Sequence, residues 1–277
     1  MIDLHLHTSA SDGRLPPVDL VRRAADTGIT VLSVTDHDTV AGLPEARRAA
    51  ENLGIRLVDG IEITAVHEGK DVHVLGYFID TDDRLLADFL RTQRIHRVER
   101  VREIAERLTR LSVGVDVEAL LAAAARDDGR SIGRPTLALA LVAAGHVATI
   151  QQAFDLYLAT GRPAFVPRVG PTPLAVLAAI HDSRGLASMA HPGVTAQPAV
   201  LASLVDEGLD AIEVHHSDHS PALRRELAEF ATAHRLLITG GSDFHGDDDR
   251  GRMLGGVSVP ANDFARLDAA GRARWTS

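Results

Sequence analysis

Met1-Ile2-Asp3-Leu4-His5-Leu6-His7 opens the chain with aliphatic residues alternating with polar, metal-competent ones. A period of two is the signature of a β-strand, whose successive side chains point to opposite faces. Asp3, His5 and His7 therefore share one face, and Ile2, Leu4 and Leu6 the other. Two imidazoles roughly 7 Å apart along a strand can converge on one ion where the strand ends. A lone histidine in such a strand is more simply a hydrogen-bonded core residue. Three polar side chains on one face of an apolar strand need partners if they are to be buried.

At 277 residues and 45% hydrophobic content, the chain can bury a full core as one large domain or as a domain with an insertion. No window approaches the ~18 continuous apolar residues of a membrane span, and the start lacks the basic-then-apolar pattern of a secretion signal. A cytoplasmic protein with no membrane partner is expected. Zero cysteines exclude disulfides and thiolate sites, so any metal must be held by histidine and carboxylate. Fourteen histidines against two tyrosines and one tryptophan direct attention to imidazole chemistry. The net charge of −9 argues against a general nucleic-acid coat. Residues 84–170 nevertheless carry 13 arginines against 9 acids, which suggests an anionic ligand or a solvated helix face.

Beyond the opening strand, the loop Thr8-Ser9-Ala10-Ser11-Asp12-Gly13 leads to Pro16-Pro17 and a helix running to about Gly28. A strand from Thr30 to Thr35 ends at Asp36-His37-Asp38 and is followed by a helix from about Gly42 to Leu53. Strand Arg56 to Ile63 finishes in Gly60-Ile61-Glu62, and strand Asp71 to Phe78 carries His73 between valines. From Asp82 to about Pro163 the pattern predicts helices alone, the longest from Leu85 to Leu111. Strand–helix alternation then resumes. Strand Leu186 to Ala190 ends in His191-Pro192, strand Ala211 to Val214 leads into His215-His216, and strand Leu236 to Thr239 ends in Gly241-Ser242-Asp243-Phe244-His245. One last strand and a short helix are expected after it.

Such alternation predicts an α/β fold with a parallel sheet, and reactive residues at the C-terminal ends of several strands favour its closure into a barrel. Residues 1–81 and 164–277 would form that barrel, and 82–163 a helical insertion serving as a cap.

Asp3-Leu4-His5-Leu6-His7, Thr35-Asp36-His37-Asp38, Gly60-Ile61-Glu62, His73, His191-Pro192 and Ser242-Asp243-Phe244-His245 resemble, in order, the motif series of the polymerase and histidinol phosphatase (PHP) phosphoesterases. The resemblance implies a distorted (β/α)7 barrel with an inserted all-helical cap, and two to three divalent ions at the strand ends. It places His5, His7, Glu62 and Asp243 on a first ion, with Glu62 bridging to a second held by His73 and His191. Asp12, His37 and His245 would hold a third. Nine nitrogen and oxygen ligands without sulfur suit manganese, iron or zinc, and a bridging carboxylate suits ions ~3.5–4 Å apart.

Asp12, His37, His191 and His245 are the residues expected to act in catalysis. Asp3 and Asp36 are expected to accept an imidazole N–H, or Asp3 to cap the adjacent loop. His215, His216 and His219 are placed in a loop beside the site, with His219 a candidate substrate contact. His67, His96, His146, His181 and His234 are placed on helix surfaces or loops, away from metal.

Arg134 and Arg168 are the candidate phosphate-binding residues, Arg134 just ahead of a helix. The stretch Gly133-Arg134-Pro135-Thr136-Leu137-Ala138 resembles a substrate-binding segment of the nucleotide-directed PHP branch, with Thr136 where that branch commonly has histidine. The run Arg91, Arg94, Arg97 and Arg100 reads as a solvated helix face. The resemblance thus implies a metal-dependent phosphatase in which a metal-held hydroxide attacks a phosphate monoester. Its expected substrate is a small nucleotide such as a nucleoside 3′,5′-bisphosphate, with extension to the 5′ ends of short RNA. The alternatives are a histidinol-phosphate phosphatase or another small phosphometabolite phosphatase, and a non-catalytic PHP interaction module, which the full set of nine ligands opposes. Nothing in the pattern specifies an oligomeric state.

Overall fold

The structure is a computed structural model and describes residues 1–126, 129–195, 198–246 and 252–276. Seven strands follow one another in space in chain order. They are β1 (Ile2–Leu6), β2 (Val31–Val34), β3 (Arg56–His67), β4 (Lys70–Tyr77), β5 (Leu186–Met189), β6 (Ala211–His216) and β7 (Leu237–Gly241). Neighbours pair in parallel except at β4, which runs against both β3 and β5. The reversal has a local cause. Only Glu68 and Gly69 separate β3 from β4, both at positive φ (48° and 74°), whereas a parallel neighbour needs a crossover of about a dozen residues. Because β4 is reversed, its first half, not its end, lies beside the C-terminal ends of the other strands, with His73 opposite Thr64.

The ring closes where β1 meets the chain just past β7. Asp243 N donates to His5 O at 2.9 Å and His7 N to Phe244 O at 3.0 Å. Gly241 makes this approach possible, since a Cβ there would lie 2.4 Å from His5 N. Asp3 fastens the same seam by accepting from Ser242 N at 2.9 Å and Gly255 N at 3.2 Å. The result is the nearly closed seven-stranded α/β barrel that the family resemblance implied, and its reversed β4 departs from the parallel sheet that the strand–helix alternation predicted.

Helices α1 (Pro17–Asp26) and α2 (Leu43–Leu53) pack Leu20, Val21, Leu43 and Ala46 against Leu32 and Val34 of β2. Between β4 and the resumption of strands come α3 (Arg84–Arg110), α4 (Val117–Arg126), α5 (Arg134–Ala143) and α6 (Ile150–Ala153), with a π-helical turn over Phe154–Leu158. Their apolar side chains, among them Val101, Ile104, Leu108, Leu137, Leu141 and Leu158, form a cluster of their own. At 27 residues α3 spans about 40 Å and serves both layers, because Leu86 and Leu90 near its start join the barrel core. The remaining helices are α7 (Pro173–Asp182), α8 (Pro192–Thr195), α9 (Pro198–Asp206), α10 (Pro221–His234) and α11 (Ala261–Arg274). Thr172 and Ser220 cap α7 and α10 by accepting from Ala175 N and Leu223 N, which fixes where these helices start.

The expected final strand is absent from the described residues. The last helix, α11, has 14 residues and is not a short one, and its Phe264 and Leu267 join Leu4, Tyr77 and Leu186 in the core. Among the described residues no helix is long and apolar enough to cross a membrane.

Candidate metal centre

The strand ends converge on Glu62 of β3, which is buried. Its Oε2 lies 3.4 Å from His5 Nε2, 3.2 Å from His7 Nε2 and 3.1 Å from His37 Nδ1, while Oε1 lies 2.8 Å from His73 Nδ1 and 3.1 Å from His191 Nε2. Asp243 Oδ1 stands 3.4 Å from His5 Nε2 and 3.2 Å from His7 Nε2. Asp12 Oδ1 lies 3.3 Å from His245 Nε2, and Asp12 Oδ2 3.9 Å from His37 Nε2. All nine residues predicted as ligands therefore meet at one rim. Five overlapping groups have ligand atoms within 4.8 Å of one another: His5, His7 and Glu62; His37, Glu62 and His73; His7, Asp12, His37 and His245; His5, His191 and Asp243; and His5, Glu213 and His216, so His191 groups with His5 and Asp243 and not with His73.

The chain's geometry at the rim is specialised. Asp38, His191 and Asp243 adopt φ of 52°, 26° and 54°, in the left-handed region, each just past a strand end. For residues other than glycine such conformations cost on the order of 1–3 kcal/mol and persist where the surroundings over-determine them. Gly13 allows the Asp12 loop to fold back on β1, as a Cβ there would lie 2.3 Å from His7 O.

Do these residues fit divalent ions? His5 Nε2, both ring nitrogens of His7, His37 Nδ1 and His73 Nδ1 are buried without a hydrogen-bond partner, although carboxylate oxygens are close by. Buried polar atoms are seldom left so, and here they lie within 4.8 Å of other candidate ligand atoms. The charges agree. Burial alone would lower the His7 imidazole, yet Asp243 and Glu62 outweigh it and lift it to about 10. Burial would raise Glu62, Asp12 and Asp243, but the surrounding imidazoles hold all three well below the ordinary carboxylate range. His37, dominated by its burial, falls to about 3 and is a neutral donor. A buried centre that draws positive charge so strongly, and offers nitrogen and oxygen only, fits hard or borderline divalent ions.

Two expected supports act differently. Asp3 and Asp36 accept no imidazole N–H: Asp3 takes the backbone amides of the barrel seam, and Asp36 takes Thr8 N at 2.7 Å, Thr8 Oγ1 at 2.6 Å and Ser11 Oγ at 2.6 Å. Asp36 therefore shapes the loop that carries Asp12. The support for an imidazole comes from Glu213 of β6, which the sequence reading passed over, with Oε1 2.9 Å from His5 Nδ1. An acid inside Ala211-Ile212-Glu213-Val214 was the available signal. His215 and His216 lie within β6 and not in a loop, and His219 follows it. His219 is buried with Nδ1 donating to Val214 O at 3.0 Å, and it is not among the residues lining the cleft. His67 closes β3 and, with His96, His146, His181 and His234, joins no candidate metal group among the described residues.

Above the centre opens a cleft of about 230 Å³. One wall is Asp12, His37, Glu62, His73, His191, Asp243 and His245; the other carries Arg97, Arg134 and Arg168, with Arg252 at the side. Arg134 opens α5 and reaches Asp71 Oδ2 at 3.3 Å; Arg168 lies 3.4 Å from Asp71 Oδ1 and 3.7 Å from Asp38 Oδ2. Thr136 is not part of this wall, its Oγ1 accepting from Gly133 N at 3.3 Å at the start of the helix.

The solvated-face reading of the arginine run fails at its far end. Arg97 is buried, with Nε 2.5 Å from Asp38 Oδ2 and Nη2 3.2 Å from Thr64 Oγ1, and Arg100 Nε donates to Val166 O at 2.9 Å. A spacing of three on a helix of 3.6 residues per turn rotates each successive side chain by about 60°, so a run that begins outside ends inside. Burial, reinforced by the neighbouring Arg97, brings Arg168 down to about 9; burial and Arg134 bring Arg100 to about 10. Arg252, also missed, contacts Asp243 Oδ2 and lies 2.6 Å from Asp218 Oδ2.

Known structures turn this arrangement into a class. A predicted metal-dependent phosphoesterase of Bifidobacterium adolescentis aligns over 97% of this chain and 96% of its own with a TM-score of 0.89 and 33% identity. The barrel and its histidine–carboxylate rim are those of a metal-dependent phosphoesterase. The chain belongs to the PHP family, whose model, described as PHP domain, matches residues 3–126. Relatives cover most of its length. A 5′-3′ exoribonuclease Rnm of Salmonella typhimurium is 38% identical over 88% of this chain and 84% of its own. A 3′,5′-nucleoside bisphosphate phosphatase of Chromobacterium violaceum is 32% identical over 92% and 90%. A phosphoribosyl 1,2-cyclic phosphate 1,2-diphosphodiesterase of Eggerthella lenta is 33% identical over 94% and 99%.

Proposed function

We propose that this phosphoesterase removes one phosphate from a small nucleotide carrying two, a nucleoside 3′,5′-bisphosphate, and accepts the 5′ ends of short RNA as an extension of the same site. The observation that carries the reading is the two-walled cleft. Its metal-ligand wall suits the phosphate to be cleaved. Its arginine wall suits a second one, because Arg97, Arg134 and Arg168 line it and are set against the two carboxylates Asp38 and Asp71. Three guanidinium groups against two carboxylates leave one positive charge over, which favours an anionic group on that wall. The protein's own Asp71 keeps Arg134 and Arg168 together between substrates, so no bound anion is needed to hold them.

Two to three divalent ions, manganese, iron or zinc, would be held by His5, His7, Glu62 and Asp243, by Glu62, His73 and His191, and by Asp12, His37 and His245. When bound they supply electrophilic activation of the phosphoryl group and acidify a water. The residues around them orient the reaction. Asp243 N and Phe244 O hold the seam that fixes β1, and the Nδ1 of His245 donates to Asp243 O at 2.9 Å, leaving Nε2 directed toward Asp12. Arg134, backed by the rings of Phe154 and Phe165 at 5.9 and 5.7 Å, grips the distant phosphate from the helical side, which we take as a cap over residues 82–163.

Steady-state kinetics with adenosine 3′,5′-bisphosphate, AMP, histidinol phosphate and a short 5′-phosphorylated RNA test the reading. The bisphosphate is expected to give the highest kcat/KM among the small substrates. A preference for histidinol phosphate would reject it.

A further inference from the structure

Both oxygens of the buried Glu213 are engaged, and by groups from different parts of the centre. Oε1 accepts from His5 Nδ1 at 2.9 Å, and Oε2 accepts from the backbone N–H of His191 at 2.7 Å. An ionised carboxylate can only accept, so Nδ1 of His5 carries the hydrogen and Nε2, 3.4 Å from both Glu62 and Asp243, keeps its lone pair for an ion. The second contact acts on the backbone. His191 sits at φ 26°, and its N–H bond to Glu213 holds the turn that brings Nε2 to 3.1 Å from Glu62 Oε1. His5 and His191 fall on either side of the bridging Glu62, toward Oε2 and Oε1 respectively.

We infer that Glu213 is a positioning residue that fixes the tautomer of His5 and the backbone of His191 with one carboxylate, and so sets two ion positions relative to each other. The inference rests on the nine-residue ligand set and is independent of the substrate. Partners of this kind behind a metal-bound imidazole typically change metal affinity by about 10–100-fold.

The test is titration of metal-free protein with Co²⁺, followed by calorimetry and by visible absorption, which reports ligand geometry without any turnover. The wild type is expected to take up at least two ions. Glu213→Gln keeps the size of the side chain and loses its charge; Co²⁺ should bind about 10–100-fold more weakly, with an altered visible spectrum. Glu213→Asp keeps the charge but reaches less far, and is expected to fall between the two. Thr239→Val serves as control. Thr239 lies opposite Glu213 in the β6–β7 register and bonds Ser188 Oγ at 2.7 Å, so it disturbs the same barrel layer without touching a ligand. It should bind Co²⁺ like the wild type.

Wild-type affinity and spectrum in Glu213→Gln would overturn the inference, as would equal weakening in Thr239→Val, which would mean a loosened barrel. Should Glu213→Gln not fold, Glu213→Asp decides alone: wild-type affinity overturns the inference, and weaker binding at an unchanged unfolding midpoint supports it. A wild type that takes up no Co²⁺ removes the ligand set and the inference together, an outcome distinct from all of these.

Discussion

Glu62 is within 3.4 Å of ring nitrogens from His5, His7, His37, His73 and His191, whereas His245 pairs with the two acids Asp12 and Asp243 and stacks on His7 at the edge of the ligand set. Glu62→Ala is therefore expected to abolish activity and to lower metal content by more than one ion per chain, and His245→Ala to lower it by at most one. Metal analysis of the two purified variants checks this, and near-normal turnover in Glu62→Ala would mean the ions are held differently. Arg134→Ala removes a charge-assisted contact worth roughly 1.5–3 kcal/mol, or about tenfold to over a hundredfold in kcat/KM for the bisphosphate, with metal content unchanged. Unchanged kinetics would leave Arg134 a structural partner of Asp71. The candidate ligands were legible through their resemblance to an ordered motif series; polarity at a strand end alone does not select them, since Asp3 and Asp36 stand in the same stretches and serve the seam and the Asp12 loop. Glu213 carried the same signal inside β6 but belonged to no motif. Arg97 and Arg100 were not legible from charge, since only the drift of the helix face buries them.

At the level of elements, the strands and most helices followed from periodicity, and the departures have local causes. The reversal of β4 is written in the two-residue connection after β3, which allows a hairpin and no crossover. Among the described residues the anticipated last strand does not form, and the seam between β1 and the segment after β7 already completes the ring. One polar tie joins elements far apart in the chain. Asp210, ahead of β6, is bonded to His181 of α7 at 2.7 Å, to Ala187 N of β5 at 2.9 Å and to Arg274 of α11 at 2.7 Å. Burial would raise its pKa, but these partners outweigh it and hold Asp210 below the usual carboxylate value. A lowered pKa means stability that is present above the unfolded-state value near 4 and is lost as pH falls through the lower folded value. Asp210→Asn is accordingly expected to cost roughly 1.5–3 kcal/mol at pH 7 and markedly less at pH 3. Denaturant unfolding of both proteins at the two pH values measures it, and an equal difference at both would show that the tie does not depend on charge.

For the molecule as a whole, the candidate metal centre gathers charged and imidazole side chains from every part of the barrel at one buried rim. Asp12, Glu62 and Asp243 lie against seven imidazoles, His216 included, and the acids raise the pKa of His5 and His7 against the effect of burial. Ions that bind the folded state alone add RT ln(1 + [L]/Kd), about 2.7 kcal/mol each at a hundredfold excess over Kd. For a domain of this size 1 kcal/mol moves the unfolding midpoint by roughly 2–4 °C, so each ion should raise it by roughly 5–11 °C. Because protons compete for the same nitrogens, the rise should shrink as pH is lowered from 8 toward 5. Protein purified without chelator is expected to contain two to three transition ions per chain, and EDTA should lower its midpoint in a way that Mn²⁺ or Zn²⁺ restores. Fewer than one ion per chain, with no uptake and no shift on adding either metal, would mean that the paired protons suffice to fill the rim and that the converging ligands are a polar core.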